Sequence, residues 1–303
     1  MIGDLRGHTG PGRWHRCSGT VGGMTDLIDF DALTNDLAGK RAAYAAGDPY
    51  PHIVLDGVLK AETFAAVVAE FPGIRDEFWQ GYLHVNETKY ANKAPDTWGD
   101  TLRGVAQEFC SERFVTYLEE LTGISGLLAD WSMDGGGLHQ TLRGGHLNIH
   151  ADFTSHHTHE TWARRVNILL YLNEEWQPEW GGQLELWDPQ MTEVRGRVTP
   201  AGNRMLVFTT TADSFHGHPD GLTCPPDMAR RSMALYYFTE EEQAVRRSTN
   251  YQPRPHESAG RKLVIHAERG LLDGYDRVKR RLGLSDDFAS NALAKLDRFR
   301  RQR

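Results

Sequence analysis

Residues 146–153 read HLNIHADF, an alternating segment in which His150 and Asp152 stand two apart. On an extended chain successive side chains point to opposite faces, so two such residues share a face and can reach one ion. The segment belongs to a series of short runs separated by Gly, Pro and Asp: LHQTLR from Leu138, RVNILLYLN from Arg165, GGQLELWD from Gly181, EVRGRVTP from Glu193, RMLVFTTT from Arg204 and RSMALYYFT from Arg231. Several alternate with period two and are rich in β-branched or aromatic residues. That texture predicts an all-β sandwich or barrel of about eight strands.

Outside this region the spacing turns helical. Asp29 to Ala46 predicts a helix capped by Asp29 or Asp31 and closed by Gly47. A short strand is expected over 52–57, and a helix over 60–73 that stops at Pro72-Gly73. Residues 81–99 show no clear period and read as a polar, aromatic-rich loop. From Thr101 to Thr122 helical spacing returns, with Val105, Phe109, Phe114, Tyr117, Leu118 and Leu121 on one broad apolar stripe. Residues 1–23 hold seven glycines and no apolar core, which reads as a flexible leader rather than a secretory signal and leaves Met24 as a candidate start. Beyond Pro253 the chain is charged and helical. Its basic stretch over 277–303 interleaves nine Lys/Arg with an apolar stripe, which favours a solvated helical face over a nucleic-acid patch. The expected division is a leader (1–23), a helical support region (24–123), a β domain (124–245) and a helical extension (246–303).

With 303 residues, 39% hydrophobic and 25% charged, the chain has the composition of a globular protein. A net charge of −7 sets nucleic-acid binding aside, and no run of about 18 apolar residues predicts a membrane-spanning helix. Cys17, Cys110 and Cys224 are far apart with no CxxC, so neither a disulfide framework nor a thiolate zinc site is indicated. Free thiols in a reducing, cytoplasmic setting are the expectation.

Half of the 14 histidines fall between His146 and His218. The strand RMLVFTTT leads through a bend into His216, with His218 two residues on. His150, Asp152 and a distant His on a β scaffold make the 2-His-1-carboxylate set that holds non-haem Fe(II) and leaves positions open for substrate and oxygen. Arg231 opens the next strand. A guanidinium inside a metal pocket calls for an anion and grips a carboxylate through two bonds. A dicarboxylate that chelates iron at one end and meets Arg231 at the other satisfies both, as 2-oxoglutarate does.

The ordered set His150-Ala151-Asp152, Tyr171-Leu172-Asn173, Gly181-Gly182-Gln183-Leu184, His216 and Arg231 resembles the Fe(II)/2-oxoglutarate dioxygenases of the prolyl 4-hydroxylase type, over roughly residues 139–240. The resemblance implies an α+β chain with a mainly β core, a double-stranded β-helix (jelly roll) flanked by N- and C-terminal helices. It implies Fe(II) on His150, Asp152 and His216, 2-oxoglutarate on Arg231 with Tyr171 bonding it, and L-ascorbate (vitamin C) as reductant. The implied reaction is hydroxylation of an unactivated C–H bond of a small-molecule or peptidyl substrate by molecular oxygen, with release of succinate and CO2. Related halogenating enzymes lack the carboxylate that Asp152 supplies.

One departure from the family pattern is the 15-residue interval from His216 to Arg231, longer than usual, with Arg230 adjacent. Arg231 is preferred because it shares parity with Met233, Leu235 and Tyr237, a row expected to face the barrel interior. His216 is preferred over His218 by position. Asn167 shares a strand face with Tyr171 and is a further candidate for the interior. His146 lines the entrance or pairs with a backbone carbonyl. The run Ser155 to His159 reads as a solvated loop, with a substrate lid or a second metal site as the alternatives. The tryptophans Trp176, Trp180 and Trp187 read as packing around the Gly181-Gly182 bend. Rival classes are a zinc-dependent hydrolase or cupin-like metalloprotein, which leaves Arg231 without a role, and a catalytically inactive binding scaffold.

Overall fold

The alternating runs pair into two antiparallel sheets. In a computed structural model that describes residues 26–74 and 77–265, the strands are β1 (His52–Asp56), β2 (Gln80–Leu83), β3 (Thr88–Asn92), β4 (Leu128–Ala129), β5 (Gly137–Leu142), β6 (Leu147–Ala151) and β7 (Trp162–Tyr171). They continue as β8 (Leu184–Trp187), β9 (Val194–Val198), β10 (Arg204–Thr209), β11 (His216–His218), β12 (Ala229–Glu240) and β13 (Asn250–Tyr251). The larger sheet runs β1-β10-β7-β12-β5-β3-β2, with β4 added on β12. The smaller sheet runs β13-β6-β11-β8-β9. This is the expected mainly β, jelly-roll architecture. The sheets cross the boundaries expected at 123 and 245: β1, β2 and β3 come from the preceding segment, and β13 pairs with β6 from beyond it.

The helices are α1 (Phe30–Thr34), α2 (Leu37–Ala45), α3 (Ala61–Glu70), α4 (Asp100–Phe109) and α5 (Glu112–Thr122). The continuous periodicity of 101–122 is broken at Cys110–Ser111, because the Ser111 hydroxyl accepts from Phe114 N at 3.3 Å and caps a new helix. The helix expected over 29–46 divides likewise, where Asp36, at φ 50°, accepts from Gly39 N and caps α2. The expected 81–99 loop contains the β2–β3 hairpin instead. The leader over 1–23, with Met24 and Cys17, and the basic stretch over 277–303 lie outside the described residues.

The central strands of the large sheet, β10, β7 and β12, are buried on both faces. One row, Val166, Ile168 and Leu170 of β7 with Met233, Leu235 and Tyr237 of β12, joins Leu102, Val105, Phe109, Phe114 and Leu118 of the helices in the main core. Tyr237 fixes this packing by donating to Phe109 O at 2.9 Å. The opposite row faces the smaller sheet. Cross-strand partners share a face, so the pairings Ser232↔Tyr171, Ala234↔Leu169 and Tyr236↔Asn167 put those residues on the inner side. Leu184, Leu186, Leu206, Phe208 and Tyr171 close one end of the space between the sheets.

Candidate metal centre and its basic neighbour

β6 and β11 lie side by side in the smaller sheet, with His216 opposite His150. That register brings His150, Asp152 and His216 together, their ligand atoms all within 4.8 Å of one another. Among the described residues this is the one His/Cys/Asp/Glu cluster with metal-holding geometry. His218 is not part of it. The Nδ1 of His150 donates to Asn148 O at 2.9 Å and that of His216 to Ser214 O at 2.9 Å. With both Nδ1 atoms committed to carbonyls, both Nε2 lone pairs are left for a metal. Each Nε2 lies 3.5 Å from an Asp152 oxygen. Two imidazoles and one carboxylate, with both ring nitrogens oriented by carbonyls, fit Fe(II).

Asp152 is itself held from β7. Its Oδ2 accepts from Asn167 Nδ2 at 2.8 Å and from Arg164 Nη2 at 3.0 Å, while Arg164 Nε donates to Asn167 Oδ1 at 2.7 Å. Burial would raise the Asp152 pKa, but the Arg164 charge and the neighbouring imidazoles hold it well below the usual carboxylate range. His216 is pushed down to about 4, by burial first, with Asp152 opposing. The inward position expected for Asn167 is therefore found, and its role is to orient the aspartate. Arg164 was not foreseen. Its guanidinium stacks 3.3 Å from the centre of the Tyr236 ring. Tyr251 of β13 was also missed, and it packs on His150 with ring centres 5.4 Å apart.

The assignment of Arg231 to the interior is corrected. Arg231 lies on the helix-facing row, its guanidinium 5.1 Å from the Phe71 ring and its backbone N bonded to Asn173 Oδ1. Met233, Leu235 and Tyr237 are apolar because they face the helical core, not the barrel. Arg230 points inward with Ser232. It is buried, donates through Nε to Gly182 O at 2.8 Å and through Nη2 to Tyr171 Oη at 3.3 Å, and forms no ion pair with any carboxylate among the described residues. Burial pulls its pKa down.

His146 takes the carbonyl-pairing alternative, with Nε2 3.1 Å from Val85 O. The loop after Asp152 is only partly solvated: His156 is buried with Nε2 3.3 Å from Asp130, while exposed His157 bonds Asp134 through Nδ1 at 2.8 Å. Trp176 and Trp180 do pack around the glycine bend, with Trp176 Nε1 donating to Gly181 O. Trp187 lies apart from them, with Ile149, Ala151 and Phe215.

Residues 136–239 match the 2OG-Fe(II) oxygenase superfamily. Among solved structures the chain is similar to a Pseudomonas putida prolyl-4-hydroxylase, with 17% identity, a TM-score of 0.50, and 67% of this chain and 99% of that one covered. A Trichoplax adhaerens prolyl hydroxylase, solved in complex with a hypoxia inducible factor oxygen degradation domain peptide fragment, matches at 14% identity and TM-score 0.48, over 68% and 94% of the two chains. An oxidoreductase of the 2OG-Fe(II) oxygenase family from Burkholderia pseudomallei matches at 11% identity and TM-score 0.47, over 70% and 96%. A search of curated proteins gave no match. Residues 136–239, the segment similar to the 2OG-Fe(II) oxygenase superfamily, hold all three members of the His150, Asp152 and His216 cluster within one β core.

Proposed function

We propose that the chain hydroxylates an unactivated C–H bond of a small-molecule or peptidyl substrate, with 2-oxoglutarate converted to succinate and CO2. The observation that carries this reading is Arg230, a buried guanidinium with a carbonyl and a phenol for partners and no carboxylate. Such a cation is costly unless an anion joins it. The far carboxylate of 2-oxoglutarate is that anion, with Tyr171 as a second contact. A zinc hydrolase gives Arg230 no role.

In this reading His150 Nε2, His216 Nε2 and an Asp152 oxygen hold Fe(II). When bound, the iron supplies the open positions at which the keto acid and oxygen react. The chain's own residues do the rest. The carbonyls of Asn148 and Ser214 fix the imidazole tautomers, while Arg164 and Asn167 hold the aspartate. Leu186, Leu206 and Phe208 pack with Tyr171 in a buried apolar cluster. L-Ascorbate as reductant and a cytoplasmic setting belong to the same reading.

The test is succinate formation from 2-oxoglutarate by Fe(II)-loaded protein under air, first alone and then against proline, prolyl peptides and metabolite pools. Succinate that requires iron, oxygen and 2-oxoglutarate together is the expected result, and a candidate that raises the rate identifies the substrate. Protein that binds Fe(II) yet makes no succinate with any candidate overturns the proposal.

A further inference from the structure

The strand β11 reads His216-Gly217-His218, so its two histidines share a face. Gly217 has no room for a side chain on the other side, where a Cβ would lie 2.8 Å from the carbonyls of Leu147 and Asn148. His216 joins the metal cluster and His218 does not. Yet His218 is only 3% exposed, and its Nδ1 is buried with no hydrogen-bond partner. A buried polar atom left unpaired is a standing cost. The cationic residues whose charge reaches His218 include Arg230, the guanidinium that lacks an anion. Lys89 also reaches it, but Glu87 already pairs with that lysine at 2.9 Å. A buried ring nitrogen without a partner and a buried guanidinium without an anion, close enough for the charge of one to act on the other, describe one carboxylate site.

We propose that His218 Nδ1 is a further donor to the far carboxylate of the keto-acid co-substrate, beside Arg230 and Tyr171. This rests on the reading of Arg230 given above. The carboxylate oxygen accepts from the ring N–H while its partner oxygen faces the guanidinium. His218 is thereby a specificity residue, selecting a five-carbon diacid over a keto acid that ends in methyl.

The test uses the full chain loaded with Fe(II) under argon, titrated with 2-oxoglutarate and with 2-oxopentanoate, which keeps the keto-acid end and lacks the far carboxylate. Binding is read from the visible charge-transfer band and checked by calorimetry. His218→Ala is expected to weaken 2-oxoglutarate about tenfold or more, as for loss of one bond to a charged group, and to leave 2-oxopentanoate within about twofold. His218→Asn, whose amide places an N–H near the Nδ1 position, is expected to restore most of the affinity. Equal weakening of both ligands, unchanged 2-oxoglutarate affinity in the alanine variant, or an asparagine variant no better than alanine each overturns the inference. Wild-type protein that does not distinguish the two ligands overturns the parent reading of Arg230 as well, which separates the two failures.

Discussion

Arg230 and Gly182 are joined through the backbone: the guanidinium Nε donates to the Gly182 carbonyl at 2.8 Å, and Gly182 sits at φ +71°. A Cβ there would lie 2.7 Å from Leu222 Cδ2 and 3.2 Å from Arg230 Cδ. The second glycine of the Gly181-Gly182 bend therefore aims the inward arginine. Gly182→Ala is expected to cost about 1–3 kcal/mol in stability from the left-handed backbone alone, and to weaken 2-oxoglutarate binding as Arg230 is displaced. Thermal unfolding and ligand titration check this; wild-type values in both would refute the coupling.

The two neighbouring arginines give a sharp contrast. Arg230→Ala removes charge-assisted bonds worth about 1.5–3 kcal/mol each, so 2-oxoglutarate affinity is expected to fall by about 10- to 100-fold. Arg231→Ala removes a cation stacked on Phe71, and is expected to lower stability by about 1 kcal/mol with co-substrate affinity unchanged. Titration of both variants under argon decides between them, and a larger binding loss in Arg231→Ala would reinstate the parity argument made from the sequence.

The metal cluster was legible because strand geometry is simple: His150 and Asp152 two apart on β6, and His216 opposite His150 on β11, need only alternation and pairing. Alternation alone does not say which face is inside when both faces are buried. Met233, Leu235 and Tyr237 look like interior residues and are, but of the helical core. The polar row, Arg230 and Ser232, is the one that faces the smaller sheet. Arg164 escaped for another reason. The β7–β12 register slips between Tyr237 and Phe238, so Val166 pairs with Tyr237 and Arg164 with Phe238, leaving Arg165 as the extra residue. Parity counted back from Tyr171 puts Arg165 inside; the bulge turns Arg164 inward instead. The β2–β3 hairpin escaped because its strands, QGYL and TKYAN, are short and polar at one side of the large sheet.

Asn167 links the Arg164 guanidinium to the Asp152 carboxylate, bonding both. Residues that orient a metal-ligating carboxylate commonly matter about 10- to 100-fold in metal affinity or activity. Asn167→Ala is expected to weaken Fe(II) binding within that range, with far-ultraviolet circular dichroism unchanged. Asp152→Ala is expected to abolish iron-dependent turnover with the fold retained. Competition against a chromophoric chelator measures the first, and unaltered metal affinity in Asn167→Ala would confine that residue to a packing role.

The loop that follows Asp152 is pinned at Asp134, which accepts from His157 N at 3.0 Å and bonds the His157 ring at 2.8 Å. Burial raises the Asp134 pKa, but the His157 bonds and charge outweigh it and bring the value from 3.8 down to about 2. A carboxylate with a depressed folded-state pKa stabilises the fold fully above its unfolded pKa, and that stability is lost as pH falls toward the folded value. The window is therefore pH 4 down to 2. Holding this carboxylate ionised down to about pH 2 corresponds to about 2 kcal/mol of stability just above pH 4. Asp134→Asn removes the ionisable group, so the variant is expected to be less stable by about that amount above pH 4, with the gap to wild type closing below it. Urea midpoints measured from pH 6 to pH 3 follow the gap. A difference that stays constant through this range, or is absent at pH 6, means that the Asp134–His157 pair does not anchor the loop through charge.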